Sequence, residues 1–283
     1  MDENNISYDK VGKSFEISKV RLIGNTSMKI NHFHDAYEIY YLLEGERHYF
    51  IKDKVYDIKK GDLVFIPINE LHKTIDAGVP IHERILITFK KSYLNNILVE
   101  AGTYDLLKCF QRSTCVVRLS SDDQSSVEVL LLRMIKEDQG QTNSSSIYIK
   151  VMLTELLILS GRLLENSPHH NFQNLNPMHN KMSEIIMYIN KNYKDELTLD
   201  FISKLFFIST WYLCRTFKKI TGLNLNQYIN SIRVKEAEKL LLNTKLSITQ
   251  ISEEVGYDSI THFGRVFKTL TGVSPLKYRK MLT

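Results

Sequence analysis

The sequence predicts a two-part α+β chain: a small antiparallel β-barrel with two helices after it, then an all-α module built on a doubled helix-turn-helix unit. Three observations carry that prediction. Residues 15–90 alternate short β-type runs with turn residues, residues 178–283 carry apolar residues at helical spacing throughout, and positive charge gathers in the second part. Residues 178–283 hold 16 Lys+Arg against 9 Asp+Glu, whereas residues 1–177 hold 21 against 23. Such an asymmetry suits a polyanion partner for the second part and a different partner for the first.

With 283 residues, 43% hydrophobic and 24% charged, the chain has the composition of a globular protein long enough for two domains. Its start, MDENNISYDK, has neither the cationic nor the apolar region of a signal peptide. The stretch VMLTELLILSGRLL (151–164) is too short and too charged to span a bilayer. A cytoplasmic protein without a membrane partner is therefore expected. Cys109, Cys115 and Cys214 are odd in number and lack C-x-x-C spacing, which argues for reduced structural thiols over a disulfide framework or a zinc knuckle.

The barrel strands read as EIYYLLEG, RHYFIKDK, VYDIKKGD, LVFIPINE and RILITFKK, bounded by turn chemistry at Gly45, Asp53-Lys54 and Gly61-Asp62. They read as a small antiparallel barrel or sandwich, and closure into a barrel is the natural way to hide their edges. Helical spacing follows at 122–138 and 146–165, with Ser144–Ser146 as turn and N-cap between. The second of these helices is apolar over more than half its circumference, through Ile147, Val151, Leu153, Leu156, Leu157, Leu159, Leu163 and Leu164. It must bury against the barrel, a second subunit, or both. Residues 166–177, polar and holding Pro168 and Pro177, read as a linker between domains at 1–165 and 178–283. The His169-His170 pair within it is read as solvated linker polarity ahead of a metal clip.

From 178 onward the pattern predicts helices near 179–193, 198–206, 209–221, 225–243, 247–255, 259–271 and 274–281. Two stretches match each other: LTLDFISKLFFISTWYLCRTFKKITG (197–222) and LSITQISEEVGYDSITHFGRVFKTLTG (246–272). Gly222 and Gly272 can take the left-handed conformation that ends a helix. Ser247 and Gln250 make an S-x-x-Q capping box, and Ser209 and Ser259 stand where N-caps are needed.

In a helix-turn-helix the second helix enters the major groove. Spacing puts Ile202, Leu205, Leu213 and Phe217 inward in the first unit, and Ile251, Val255, Phe263 and Phe267 in the second. The expected DNA-facing residues are Ser209, Thr210, Trp211, Cys214, Arg215 and Lys218, then Ser259, Ile260, Thr261, Gly264, Arg265 and Lys268. Arg215 and Arg265 hold equivalent places and can grip guanine or phosphate; a surface ion pair is the plainer role for each. Trp211 is open to a core role, and the lysines to that of a solvated basic face. The helix at 225–243, at ~1.5 Å per residue, spans ~28 Å, compatible with two recognition helices in successive groove segments about 34 Å apart.

On these residues, and above all ISEEVGYDSITHFGRVFKTLTGVSPLKYR, the last hundred or so positions resemble the AraC/XylS family of bacterial transcription regulators. Phe207 departs from the family pattern, which has glycine in many first turns, and Cys214 and Gly264 offer little hydrogen bonding at outward positions. The resemblance implies double-stranded DNA as a partner, a small-molecule effector, RNA polymerase as a further contact, and no enzymatic activity; the apolar helix at 147–164 points to a homodimer.

In the first domain, HFHDAYEIYYLLEG (32–45) and GDLVFIPINELH (61–72) look like the two motifs of the cupin barrel, with Asn69 where the second motif more usually has glycine. His32 and His34 share a strand face; Glu38 can join them only if Asp35-Ala36-Tyr37 bends the chain. In metal-using cupins these positions bind a divalent ion, so the resemblance assigns His32, His34, Glu38 and His72 to that role. In AraC/XylS-type regulators a cupin-like barrel more often holds an organic effector, which makes His32, His34, Glu38, Tyr40, Arg47 and His72 a pocket wall. Three roles stay open: an effector pocket needing no metal, a divalent metal site, or structural histidines. Tyr37, Tyr40, Tyr41 and Arg47 suit a sugar-like ligand, and the tyrosines suit a core equally. The overall expectation is a regulator with a cupin-like effector domain, against a metal-dependent cupin isomerase or dioxygenase that carries a DNA-binding part.

Overall fold

The computed structural model describes residues 6–9, 12–24, 31–111, 116–140, 142–166 and 177–282. Along the first part run β1 (Ile6–Asp9), β2 (Phe15–Ile23), β3 (Asn31–His34), β4 (Tyr37–Glu44), β5 (Glu46–Ile51), β6 (Lys54–Lys59), β7 (Asp62–Ile66), β8 (His72–Asp76), β9 (Ile81–Phe89) and β10 (Val116–Arg118). The short helices α1 (Asn95–Glu100) and α2 (Lys108–Gln111) precede β10, and α3 (Ser121–Gly140) and α4 (Ser145–Asn166) follow it. Cys115, His169 and His170 lie outside the described residues, as does most of the expected linker.

Two five-stranded sheets, ordered β1-β3-β8-β5-β6 and β10-β7-β4-β9-β2, enclose a common interior. All their strand pairs are antiparallel except β1 with β3. Alternation along β4 sets the layers. Tyr40 and Leu42 face inward onto Tyr49, Ile51, Tyr56, Ile58, Val64 and Ile66. Ile39 and Tyr41 face outward, joining Phe65, Ile85 and Phe89 against Leu130, Leu131 and Met134 of α3 and Leu153, Leu156 and Leu157 of α4. That contact is where most of the apolar second helix goes. Its remaining edge, Ile147 and Val151, stays exposed beside Val129 and Leu132 of α3. Gly45 turns β4 into β5 at φ +91°, where a Cβ would strike the Ile81 carbonyl oxygen.

The second part comprises α5 (Pro177–Lys191), α6 (Leu199–Leu205), α7 (Thr210–Thr221), α8 (Leu225–Asn243), α9 (Ile248–Glu254), α10 (Ile260–Thr271) and α11 (Pro275–Leu282). Its caps follow from sequence: Ser209 accepts from the Tyr212 amide and Ser259 from the His262 amide, Ser247 and Gln250 form the reciprocal box, and Gly222 and Gly272 are left-handed. This module does not hang from a tether. Its helices α5, α7 and α8 pack directly on the outer face of the first sheet, where Phe50, Val55 and Ile75 meet Ile185, Ile189, Leu213, Phe217 and Tyr228 in one buried cluster.

One inward position differs from expectation. Leu205 is exposed, and its equivalent in the second unit is Glu254; the residue after each, Phe206 or Val255, caps the helix and fills the core instead. The turn residues that follow both have positive φ, Gly256 at +89° and Phe207 at +54°. Phe207 is 94% exposed, so no burial compensates its conformation. A left-handed non-glycine residue costs roughly 1–2 kcal/mol, and glycine gives back roughly 0.5–1 kcal/mol as chain entropy. Phe207→Gly is therefore expected to raise unfolding stability by about 0.5–1 kcal/mol. Gly256→Ala, whose Cβ would sit 2.5 Å from the Lys194 carbonyl oxygen, is expected to lower it. Urea unfolding of the two variants should give opposite signs; a loss in both contradicts the assignment of strain to Phe207.

Candidate nucleic-acid interface and barrel site

Both recognition helices turn their expected residues to solvent. Ser209, Thr210, Trp211, Cys214, Arg215 and Lys218 are exposed along α7, and Ser259, Ile260, Thr261, Arg265 and Lys268 along α10, with Gly264 half-buried between them. Trp211 is 67% exposed, which removes it from the core, and the Arg215 guanidinium lies over its ring at 5.2 Å. That cation–π contact ties the two side chains together on the exposed face. Core residues on the opposite sides, Leu213 and Phe217 in α7 and Phe263 and Phe267 in α10, fix each helix's rotation. At the second unit β1 passes within 8 Å of α10, so the barrel's edge borders a recognition helix.

Inside the barrel the chain bends at Asp35 and Ala36 between β3 and β4, and this brings His34 and Glu38 together. The imidazole Nε2 of His34 lies 3.0 Å from Glu38 Oε2, and that of His72 lies 3.6 Å from the same oxygen. Each ring's Nδ1 faces a main-chain carbonyl, Ala36 at 2.9 Å and Glu70 at 2.8 Å. A carbonyl only accepts, so both Nδ1 atoms carry hydrogen and both Nε2 atoms aim at the carboxylate. Two Nε2 lone pairs and a carboxylate need a positive charge among them: a proton, or a cation. On that chemistry His34, Glu38 and His72 fit a divalent ion. Strand β3 pairs His32 with His72, but the His32 side chain lies outside the described residues.

Alongside the apolar Leu42, Ile51, Ile58, Val64 and Ile66, the barrel interior carries a polar column. Tyr49 donates to Glu38 Oε1 at 2.8 Å and packs on Tyr40, ring centroids 5.3 Å apart. Arg84 lies over Tyr40 at 5.7 Å, and Arg47 reaches Asp76 at 3.5 Å. Burial would push the Glu38 carboxyl up, but the two facing imidazoles, His72 chiefly through its charge when protonated and His34 through its 3.0 Å contact, outweigh it and hold it well below the usual range. Burial pushes Tyr40 up to about 12 and Tyr49 well above its ordinary value, with Glu38 adding to the rise; both phenols therefore keep their protons. Tyr37 and Tyr41 do not join the column. They stand at odd positions of the strand and face the helices, where Tyr41 donates to Glu128 at 2.9 Å and Tyr37 packs on Phe89 and Phe110. Tyr49 and Arg84 were missed from sequence, although Tyr49 shares strand parity with Arg47.

Between the barrel rim and α8 lies a cleft of about 310 Å³, lined by Lys52, Asp53, Glu70, Tyr228, Lys235 and Lys239 among others. Lys235 spans it to Glu70 at 3.0 Å, and Tyr228 donates to the Lys52 carbonyl at 3.2 Å. Burial lowers the affinity of Lys73 in β8 for its proton. No described helix is long and apolar enough to cross a membrane.

Residues 23–157 match the family model of the AraC-like ligand binding domain, and residues 202–281 match that of a helix-turn-helix domain. The Msm operon regulatory protein of Streptococcus mutans is 28% identical over 257 residues, covering 87% of this chain and 84% of its own. An uncharacterized HTH-type transcriptional regulator of Escherichia coli K12, YdiP, is 27% identical over 254 residues, covering 88% and 80%. Among solved structures, a single-residue variant of apo ToxT from Vibrio cholerae aligns over 97% of this chain and 100% of its own at 19% identity, with a TM-score of 0.41. With a ligand-binding barrel in its first part and a helix-turn-helix module in its second, the chain belongs to the AraC family of transcription regulators.

Proposed function

We propose that the chain is a non-enzymatic, sequence-specific regulator of transcription, acting in the cytoplasm, whose hold on its operator is set by a small polar effector of the sugar class bound in the barrel. The position of β8 carries this reading. Strand residues alternate faces, so His72 and Thr74 line the interior beside Glu38, while Ile75 sits in the cluster with Leu213, Phe217 and Ile220 on the back of α7. One strand separates the polar column from a recognition helix. An effector that favours one placement of β8 biases α7 by the difference in its affinities for the two placements.

A divalent ion held by His34, Glu38 and His72 would supply a cationic centre for an effector's oxygens. The chain's own part is to orient both imidazoles through their Nδ1 bonds and to hold Glu38 by Tyr49. The same ligand set favours one other reading, a metal-dependent cupin enzyme with a DNA-binding part. For assembly, the exposed Val129, Leu132, Ile147 and Val151 on α3 and α4 supply an apolar face that a second copy would cover. Contact with RNA polymerase follows from the same regulatory role.

Two measurements test the reading. Arg265→Ala is expected to weaken specific operator binding by about 1–3 kcal/mol and to relax base preference at one position; equal loss on all sequences makes Arg265 a phosphate contact. A thermal-shift panel on the intact chain, testing sugars, sugar phosphates, aromatic acids and divalent ions, is expected to give a selective small-molecule shift that is lost in Glu38→Gln; a shift that survives chelation puts the effector on the side chains themselves, and one that chelation removes puts it on a bound ion. Metal-dependent turnover that disappears in His34→Ala would put the enzyme in its place.

A further inference from the structure

The geometry points to a second divalent-metal site, formed by His48, Asp57 and His179, that clips the barrel to the first helix of the DNA-binding module. His48 comes from β5, Asp57 from β6 and His179 from the first turn of α5. One ligand atom of each lies within 4.8 Å of the other two. His48 Nδ1 is 2.7 Å and His179 Nδ1 3.7 Å from Asp57 Oδ1, and the two rings meet edge to face at 4.7 Å.

His179 supplies the strongest indication. Its side chain is 5% exposed, its Nδ1 makes no hydrogen bond within 3.5 Å, and that nitrogen faces the Asp57 carboxylate at 3.7 Å, holding its carboxyl below the usual range together with His48. Buried polar atoms are ordinarily satisfied. An ion bonded to both atoms would fill the gap that no hydrogen bond closes. The other two residues keep the position reachable, with His48 26% and Asp57 33% exposed, which leaves room for entry and for water as a further ligand. Arg118 does not stand in for the ion: its guanidinium makes two bonds to Asp62, at 2.9 and 2.8 Å, and meets Asp57 only at its main-chain oxygen, at 3.2 Å.

Two imidazole nitrogens and one carboxylate oxygen suit zinc, cobalt or nickel, with open positions for water. Magnesium and calcium, which take oxygen ligands, are not expected to bind. His48 and Asp57 belong to the barrel and His179 to the other module, so the ion binds the docked arrangement alone and stabilises it by mass action. The site stands whether or not the chain regulates transcription; its consequence, that zinc holds α5 and with it the recognition helices against the barrel, rests on that reading.

The test is metal analysis of the intact chain after equilibration with Zn²⁺ and dialysis, alongside Asp57→Asn and His179→Gln, each checked for an unchanged melting curve without metal. Asp57→Asn keeps the carboxylate's shape and is the variant less prone to misfold. Both variants are expected to retain one equivalent of zinc fewer than the unmodified chain, whatever ion the His34, Glu38 and His72 set also holds, and Mg²⁺ is expected to leave all three alike. Equal zinc content in the unmodified chain and both variants overturns the site.

Discussion

The structure depends on a single packing constraint: the outer face of the first sheet is closed by the DNA-binding module itself. Phe50, Val55 and Ile75 project from β5, β6 and β8 into helices of the second part. Each such apolar side chain, fully buried, stabilises by about 1.5–3 kcal/mol, so separating the parts exposes a patch that neither can leave in water. The opposite sheet faces α3 and α4. Strands clad on both sides explain why β7 buries every residue and β4 and β5 bury consecutive runs of residues, where a half-solvated strand would alternate. The sheet that contacts α5, α7 and α8 is thus the one that joins the barrel to the recognition helices, while α3 and α4 lie on the far side.

Within that cladding, and beside the apolar side chains of its own interior, the barrel holds a buried polar set. An ionised Glu38 deep in a barrel is tolerated only with compensation, and here it comes from two imidazoles and a phenol held by their own second bonds. A buried polar set of this kind contributes little net stability, because desolvation offsets the attraction. What it does provide is a fixed arrangement of donors and acceptors, the property an effector site needs. Because His72 and Ile75 occupy opposite faces of one short strand, that arrangement and the seat of α7 cannot move independently.

Local chemistry made much of this readable in advance. The module's helices, serine caps and left-handed glycines follow from spacing and from orphan backbone groups within a few residues, and the bend at Asp35 and Ala36 follows from the reach that Glu38 needs. Strand parity alone separates Tyr40 from Tyr37 and Tyr41. Leu205 misled because helical spacing from Ile202 places it inward, whereas the helix ends on it and the cap residue, Phe206, takes the core position. The meeting of His48, Asp57 and His179 was illegible for a different reason: it joins residues far apart in the chain across an interface whose geometry no local pattern encodes. Direct docking of the module was hidden likewise, since Phe50 and Ile75 read as ordinary strand residues until both sheet faces are known.

If the barrel governs DNA binding through its packing on the module, loosening that packing must change operator affinity without touching a DNA-facing residue. The most direct measurement is the operator affinity, at fixed salt, of the unmodified chain and of Phe50→Ser, whose side chain lies in the shared cluster and whose ring packs on Tyr228 of α8. A change of about fivefold or more, the usual scale of coupling between sites, is the predicted result. Equal affinity in a folded Phe50→Ser chain would contradict the account.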